Sequence, residues 1–433
     1  MTLLDYLQNI PSVIIYILFP LILYRIITYI IKRRNFPPGP IGLPVVGYLP
    51  FLTKNAHLKL TDLGKKYGEV FSLQLGSKPV VVLNSANVIR EAFSKSEFLG
   101  RPPNSAFTLL GAQSPFFEEG FHIWQEQRRF VLQSMKDLGL GKSKIEGHIL
   151  EEINHFLEVL SEHKGEPMDL MTPLTPSMSN SISSLVFGKR YEYDDPERVQ
   201  LDEALDVVAK ALGQTASHIF FPWIRYFPFI LKWLKVDDAV EFFRKANEIF
   251  AKKVEDHRKT LDPSDIRDFI DSYLIEMKIR KAKEPQTTFS DDSLKGCVSD
   301  LFGAGSDTVR TSISWCLYIM AAYPKIQKKV QKEIMDILGS EKSPEFHMQK
   351  EMPYTHAVLL EVMRWKTIVP LNLLRYTLAD TALAGYNIPK DTIVMANFWS
   401  AHHDPDIWVI TRRVSSRKDF SEQMENPSTN QEI

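Results

Sequence analysis

The chain has 433 residues, 52 basic against 53 acidic side chains, 44% apolar residues and two cysteines. A net charge of −1 argues against nucleic acid as a partner, because neutralising phosphates needs a basic excess. The ordinary apolar and charged fractions exclude wholesale disorder, and two cysteines build neither a disulfide framework nor a four-thiolate zinc site.

Ile10 to Ile31 is 22 residues long, and 17 of them are apolar or Tyr. A helix of that length reaches roughly 33 Å, enough for a bilayer core. A secretory signal peptide is the rival reading, and a membrane-surface helix is a third. Lys32-Arg33-Arg34 follows the run and favours keeping the next segment in the cytosol. Residues 1–31 are therefore expected to be an uncleaved N-terminal membrane anchor. Residues 32–45 read as a basic and Pro-rich linker. Within it, Pro37-Pro-Gly-Pro40 forces a stiff, extended backbone.

Val70 to Leu75, Gly76-Ser-Lys-Pro79 and Val80 to Leu83 predict a β-hairpin. Helical periodicity dominates after that. Ile145 to Leu160, Val240 to His257 and Ile266 to Arg280 each carry one apolar face. Tyr323-Pro324 opens another helix, with Ile326, Val330, Ile334 and Ile337 inside. Short β signals return between Leu378 and Val394. The fold class is mainly α with small β-sheets (α+β). Phe220 to Trp233 holds seven aromatics in 14 residues with two prolines. It reads as a core-packed loop or as a loop dipping into a membrane.

Four segments could carry chemistry. Gly296 to Tyr323 is a long apolar helix pattern with Ala304-Gly-Ser-Asp-Thr308 in its middle. Each of Gly303 and Gly305 costs roughly 1 kcal/mol inside a helix, which suggests that something flat or bulky approaches the backbone there. Asp307 and Thr308 put an acid and an alcohol beside that gap, able to relay a proton; a polar patch at a helix bend is the plainer reading. Glu361 and Arg364 share a helix face at i and i+3, and a buried pair of this kind needs a further partner for the guanidinium. Trp124 and Arg128 at i and i+4 make a plausible anion clamp, and Arg101 and Arg375 offer further cations, although each could be a plain surface arginine. His402-His403-Asp404 is not spaced for a metal, and no metal site is expected.

The order of these features resembles the cytochrome P-450 family. An anchor is followed by Pro-Pro-Gly-Pro, Trp124-x-x-x-Arg128, Ala304-Gly-x-Asp-Thr308, Glu361-x-x-Arg364 and the run from Asn397 to Trp408. The chain looks most like the animal microsomal members that handle steroids and foreign compounds. The resemblance implies a P-450 domain over residues 46–408 and haem as cofactor, held between two helices by a cysteine thiolate. It implies that Ala304, Gly305 and Thr308 lie on the distal side of the haem, with Asp307 and Thr308 as the catalytic proton carriers. Arg101, Trp124, Arg128 and Arg375 would hold the haem propionates. Glu361 and Arg364 would form the structural pair below. Pro103 to Gly120, the aromatic stretch near Phe220, and Val369 to Leu374 would line or gate a pocket for a lipophilic substrate. The implied electron donor is an NADPH-dependent reductase, docking near Arg129 and Lys136. The implied location is the endoplasmic reticulum membrane, with the catalytic body on the cytosolic side.

The family pattern continues with a Phe-x-x-Gly-x-Arg-x-Cys-x-Gly loop, whose cysteine ligates the iron, and a final helix. Val409 to Ile433 contains neither. It is polar and reads as an aberrant, unfolded tail (409–433), as from an altered frame, a retained intron or an alternative last exon. Cys297 and Cys316 both fall in the distal helix pattern, so neither replaces the ligand. The arginine that completes the Glu361–Arg364 network in the family is also missing. The expectation is a haem-thiolate monooxygenase by family, with this chain inactive for lack of its cysteine. The alternatives are a non-catalytic, membrane-anchored isoform that binds lipophiles or the reductase, and a non-functional splice or gene-model product.

Overall fold

A computed structural model of the chain describes Pro20 and residues 36–103, 121–139, 143–233, 236–284, 286–340 and 342–412. The expected anchor, apart from Pro20, lies outside the described residues, as do 104–120 of the expected gating loop and residues 413–433. Among the described residues no helix is long and apolar enough to cross a membrane. The chain divides into two compact units. One comprises residues up to Gly100 together with Leu371–Asn397, and the other Arg101–Pro370 together with Phe398 onward.

The first unit contains α1 (Ala56–Tyr67), β1 (Val70–Leu75), β2 (Lys78–Leu83), α2 (Ala86–Ser94) and, from the later segment, β3 (Arg375–Tyr376), β4 (Thr381–Leu383), β5 (Tyr386–Ile388) and β6 (Ile393–Ala396). The predicted hairpin is present, with β2 opening two residues earlier than expected. Gly76 takes φ +55 at its turn, a left-handed value that favours Gly. Four strands form one sheet in the order β1-β2-β6-β3, and β4 and β5 form a separate hairpin. Val80 to Leu83 pair in parallel with Ile393 to Ala396. All four residues of β2 there are fully buried, which is why their run is continuously apolar instead of alternating. Ser72 fastens the Pro-rich segment to β1. Its N–H donates to the Pro38 carbonyl at 2.8 Å, and its Oγ to the Pro37 carbonyl at 2.5 Å. A Cβ on Gly39 would meet the Ser72 oxygen at 1.7 Å, so only Gly lets the two backbones touch.

The second unit is helical. It holds α3 (Phe121–Asp137), α4 (Ser143–Glu162), α5 (Met171–Phe187), α6 (Pro196–Phe220), α7 (Pro228–Trp233), α8 (Val236–Thr260), α9 (Phe269–Lys283), α10 (Asp291–Ala322), α11 (Pro324–Leu338), α12 (Pro353–Lys366), α13 (Phe398–His402) and α14 (Pro405–Arg412). The expected helices are all here, with ends displaced by a few residues. The core gathers Phe187, Phe250, Phe269, Tyr273, Phe289 and Phe302, and the Phe130 ring meets Tyr273 and Phe289 edge-on at 5.4 and 5.3 Å. Such edge-to-face pairs add about 0.5–1.5 kcal/mol each beyond burial.

Helix α10 positions the candidate chemistry. Ser290 caps it, its Oγ accepting from the Ser293 N–H at 3.0 Å. Asp291 and Asp292 sit in its first turn, where negative charge suits the helix dipole. The helix runs 32 residues and ends at Tyr323, because Pro324 disfavours the α conformation before it and opens α11.

Two expectations need correction. The chain does not unfold at Val409, since α14 continues to Arg412. The Phe220–Trp233 stretch is not a loop packed in the core either. Pro222 starts a 3-10 turn and Pro228 starts α7. Trp223, Tyr226, Phe227, Phe229 and Trp233 are all exposed, while Phe220 and Ile224 are buried.

Candidate active site on the long central helix

Ala304 and Thr308 are one helical turn apart, and both are exposed on one face of α10. The Thr308 hydroxyl donates to the Ala304 carbonyl at 2.7 Å, so its oxygen lone pairs remain available on that face. A small side chain beside an oriented hydroxyl can receive a flat ligand and hold a proton next to it.

Asp307 is directed elsewhere. Its Oδ1 accepts from Arg310 Nη2 at 2.6 Å. The same guanidinium donates to Asp206 on α6 at 2.9 Å and to Thr175 on α5 at 3.1 Å. Burial works against the Arg310 charge, but the Asp206 and Asp307 carboxylates raise its pKa above the ordinary value. The acid and the alcohol are therefore neighbours in sequence with different partners. Arg310 was not among the sequence candidates. Its i,i+3 spacing from Asp307 was the available signal, but the contacts to Asp206 and Thr175 carried none.

Gly305 is in close contact with a neighbouring helix. A Cβ there would lie 2.9 Å from Cδ1 and 3.0 Å from Cγ1 of Ile182. The glycine admits helix α5 at this point. A Cβ on Gly303 would meet only Leu205, at an ordinary 3.6 Å.

The Arg128 guanidinium lies over the Trp124 indole, 5.5 Å from the ring centroid. That is a cation–π contact, with the charge above the ring face instead of beside the indole N–H. Arg101 is half-buried in the helical unit. Arg375 belongs to the sheet unit, where it pairs with Val394 across β3 and β6 and its guanidinium covers the Phe93 ring at 4.9 Å. Arg129 and Lys136 are exposed on α3. Val369 and Leu373 are exposed as well.

Glu361 and Arg364 form the predicted pair, with Nε to Oε2 at 2.8 Å and Nη2 to Oε1 at 2.6 Å. Both are well buried, at 5% and 11% side-chain exposure. No arginine joins this pair among the described residues, but the guanidinium has further partners. Arg364 Nη1 donates to the His402 carbonyl at 2.5 Å, and the Trp408 ring lies 5.0 Å from the guanidinium carbon. Trp408 is itself fixed by Nε1–H donating to the Ala401 carbonyl at 2.9 Å. The segment from His402 to Trp408 thus completes the site.

The two thiols differ from an exposed ligand. Cys297 is fully buried, its Sγ 3.8 Å from the Gln127 side-chain oxygen, and burial pushes its pKa well up. Cys316 is half-buried against the cluster of Ile319, Ile326, Val358 and Val362, and burial raises its pKa too. Both sit on α10. His402 is engaged by the Thr367 hydroxyl at 3.0 Å, and His403 stacks on Trp399 at 3.7 Å. Among the described residues the one group with metal-like spacing is His257, Asp268 and Asp271. Its members already serve one another and Arg267, with His257 Nε2 2.7 Å from Asp268 and Arg267 Nε 2.6 Å from Asp271.

The sequence model for cytochrome P450 matches residues 37–410. Cytochrome P450 2J2 of Homo sapiens is 36% identical over 387 residues, covering 87% of this chain and 76% of its own length. Cytochrome P450 2J3 of Rattus norvegicus is 37% identical over 385 residues, covering 87% and 75%. Cytochrome P450 1A1 of Felis catus is 33% identical over 395 residues, again covering 87% and 75%.

Proposed function

This chain belongs to the cytochrome P450 family, and on that premise we propose that its body is built to oxidise a lipophilic small molecule, steroid- or xenobiotic-like. The proposed electron source is an NADPH-dependent reductase docking near Arg129 and Lys136. The proposed setting is the endoplasmic reticulum membrane, with the body on the cytosolic side and residues 1–31 as the anchor. Members of the family are haem-dependent monooxygenases. Haem, when bound, supplies the redox chemistry. The observation that carries the reading is the Ala304–Thr308 face, with its small side chain and oriented hydroxyl.

On this reading Thr308 Oγ1 accepts a hydrogen bond on the ligand face while its own proton is donated to the Ala304 carbonyl. Asp307 is the acid one residue earlier, with its Oδ1 held by Arg310. Arg101, Trp124, Arg128 and Arg375 are proposed to hold the carboxylates of the cofactor. They suit anionic groups, since Arg offers a rigid fork of donors.

The thiols do not suit the role of iron ligand. A ligand must be a thiolate with access to the metal. Cys297 is sealed in the core with its pKa raised, and Cys316 faces an apolar cluster. No step is therefore assigned through a thiolate-bound iron. We propose that the 433 residues as given do not complete the monooxygenase reaction. This favours, as a second reading, a non-catalytic member that binds lipophiles or the reductase. The test is a spectrum of the full chain expressed with haem precursor, then reduced and treated with CO. The expected result lacks the red-shifted Soret band of a thiolate ligand. Appearance of that band, lost in Cys297→Ser or Cys316→Ser, would refute the assignment of the thiols. Reductase-dependent turnover of a steroid or drug probe would refute the inactive reading.

A further inference from the structure

Lys366 closes helix α12, and its amine lies against two aromatic rings. Nζ is 3.8 Å from the ring centroid of Trp365, the residue before it, and 3.8 Å from that of Trp315 on α10. All three residues are half-buried. Both indoles pack on the cluster of Ile319, Ile326, Val358 and Val362, and Tyr318 meets Trp315 edge-on at 5.6 Å. The rings are thus held in place around the amine.

A lysine is ordinarily a hydrated cation with three donors to satisfy. Lys332 and Lys95 meet that need with carboxylates, Asp336 at 2.6 Å and Glu91 at 2.8 Å. Among the described residues no carboxylate or carbonyl accepts from Lys366 Nζ, and the two indoles are its partners. A ring face attracts an ammonium, but it displaces water and offers no conventional acceptor to the N–H groups. Burial lowers the Lys366 pKa, the direction that frees the nitrogen lone pair. An exposed apolar strip leads to the amine. Met363 and Leu359 are 46% and 42% exposed. They lie one and two turns before Lys366 on its side of the helix.

We propose that Lys366 captures apolar aldehydes as imines, with its amine as the nucleophile and the indoles, Met363 and Leu359 receiving the hydrocarbon body. The uncharged Nζ attacks the aldehyde carbon with its lone pair. A C–N bond forms as the carbonyl π pair moves to oxygen, and a proton passes from nitrogen to that oxygen. The hydroxyl then leaves with the second amine hydrogen as water, and a C=N bond remains. Nothing is oxidised or reduced, so the step needs only the amine, the aldehyde and apolar surface. The site is assigned independently of the chemistry proposed on α10.

Treating the full chain with hexanal and sodium cyanoborohydride tests it, because the reductant converts an imine to a stable secondary amine. Peptide mass spectrometry then reads every lysine. Lys366 should be labelled at least about fivefold faster than the median exposed lysine, from its freer lone pair and the apolar contact. That advantage should vanish in urea, where the rings no longer stand beside it. With glyceraldehyde, which has no hydrocarbon body, the advantage should shrink at least about threefold. Met363→Gln, at an exposed position, should narrow the difference between the two aldehydes, and Trp315→Leu should bring Lys366 toward the median. Should Trp315→Leu unfold, the pH profile of labelling in the parent decides. A Lys366 midpoint below the ordinary value of about 10.4 supports the site, and one at or above it refutes it. Labelling of Lys366 no faster than the median, an advantage that survives urea, or equal selectivity with both aldehydes would overturn the proposal and leave the indoles as a cage that holds the ammonium.

Discussion

Asp307 is clamped by Arg310, whose Nη2 lies 2.6 Å from its Oδ1 and 2.9 Å from Asp206 Oδ1. One guanidinium thus joins the acid of the central helix to α6. Arg310 is mostly buried, at 14% side-chain exposure, whereas both carboxylates are over a third exposed. Arg310→Met should therefore cost about 1–3 kcal/mol, less than a fully buried pair would. Urea unfolding at neutral pH measures it. A loss below the scatter of the measurement would show that the clamp contributes nothing to stability.

The Glu361–Arg364 pair should be far more sensitive. Arg364→Met leaves the Glu361 carboxylate buried with no cation, at about 3–5 kcal/mol. It also frees the His402 carbonyl and the Trp408 face. Arg364→Lys should recover only part of the loss, because an ammonium cannot match the two-point geometry. Equal stability of the Lys and Arg proteins would contradict the bidentate assignment.

Gly305 and Gly303 should respond oppositely to a methyl group. Gly305→Ala drives a Cβ into Ile182, and overpacking of this kind costs about 1–3 kcal/mol against a helix-propensity gain of about 1. Shortening the neighbour in Gly305→Ala/Ile182→Ala should give a strongly non-additive, partial rescue. Gly303→Ala has room and should stabilise by up to about 1 kcal/mol. Thermal melts of the parent, Gly303→Ala, Gly305→Ala, Ile182→Ala and the double variant discriminate these outcomes.

The His257–Asp268 contact sets a pH dependence. Burial lowers the His257 pKa, but the Asp268 carboxylate and the Lys253 carbonyl together outweigh it, so the pKa lies above 6.5. A folded-state pKa above the unfolded one makes the contribution fully present below about pH 6.5. It is lost as pH rises through the raised value. The urea midpoint should fall from about pH 6 toward about pH 9, and His257→Gln should flatten that slope. The variant keeping the full slope would place its origin elsewhere.

The buried thiol gives a chemical readout. Cys297 should resist a maleimide in the folded chain and react only on unfolding, with Cys316 reacting first. Mass spectrometry of the labelled peptides reads the order. Fast labelling of Cys297 under native conditions would contradict its burial.

Much of the fold was legible locally. The β1–β2 hairpin, the amphipathic stretches of α4 and α8 and the Pro324 boundary are written in side-chain periods and turn residues a few positions apart. The Trp124/Arg128 and Glu361/Arg364 spacings were visible for the same reason, since i,i+3 and i,i+4 neighbours meet on any helix. What they meet next was not visible. The polar partners of Arg364 and the direction of Asp307 depend on chain segments that no spacing rule connects.

The sequence by itself determined the helical periods, the hairpin and the order of motifs that marks the family, because these are properties of short windows and of chain order. Tertiary structure decided that Ile182 fills the gap at Gly305 and that Arg310 reaches Asp206 across 104 residues of chain. Those contacts follow from how faces pack. Side-chain volume and unsatisfied hydrogen-bonding groups acquire meaning only once distant helices have met.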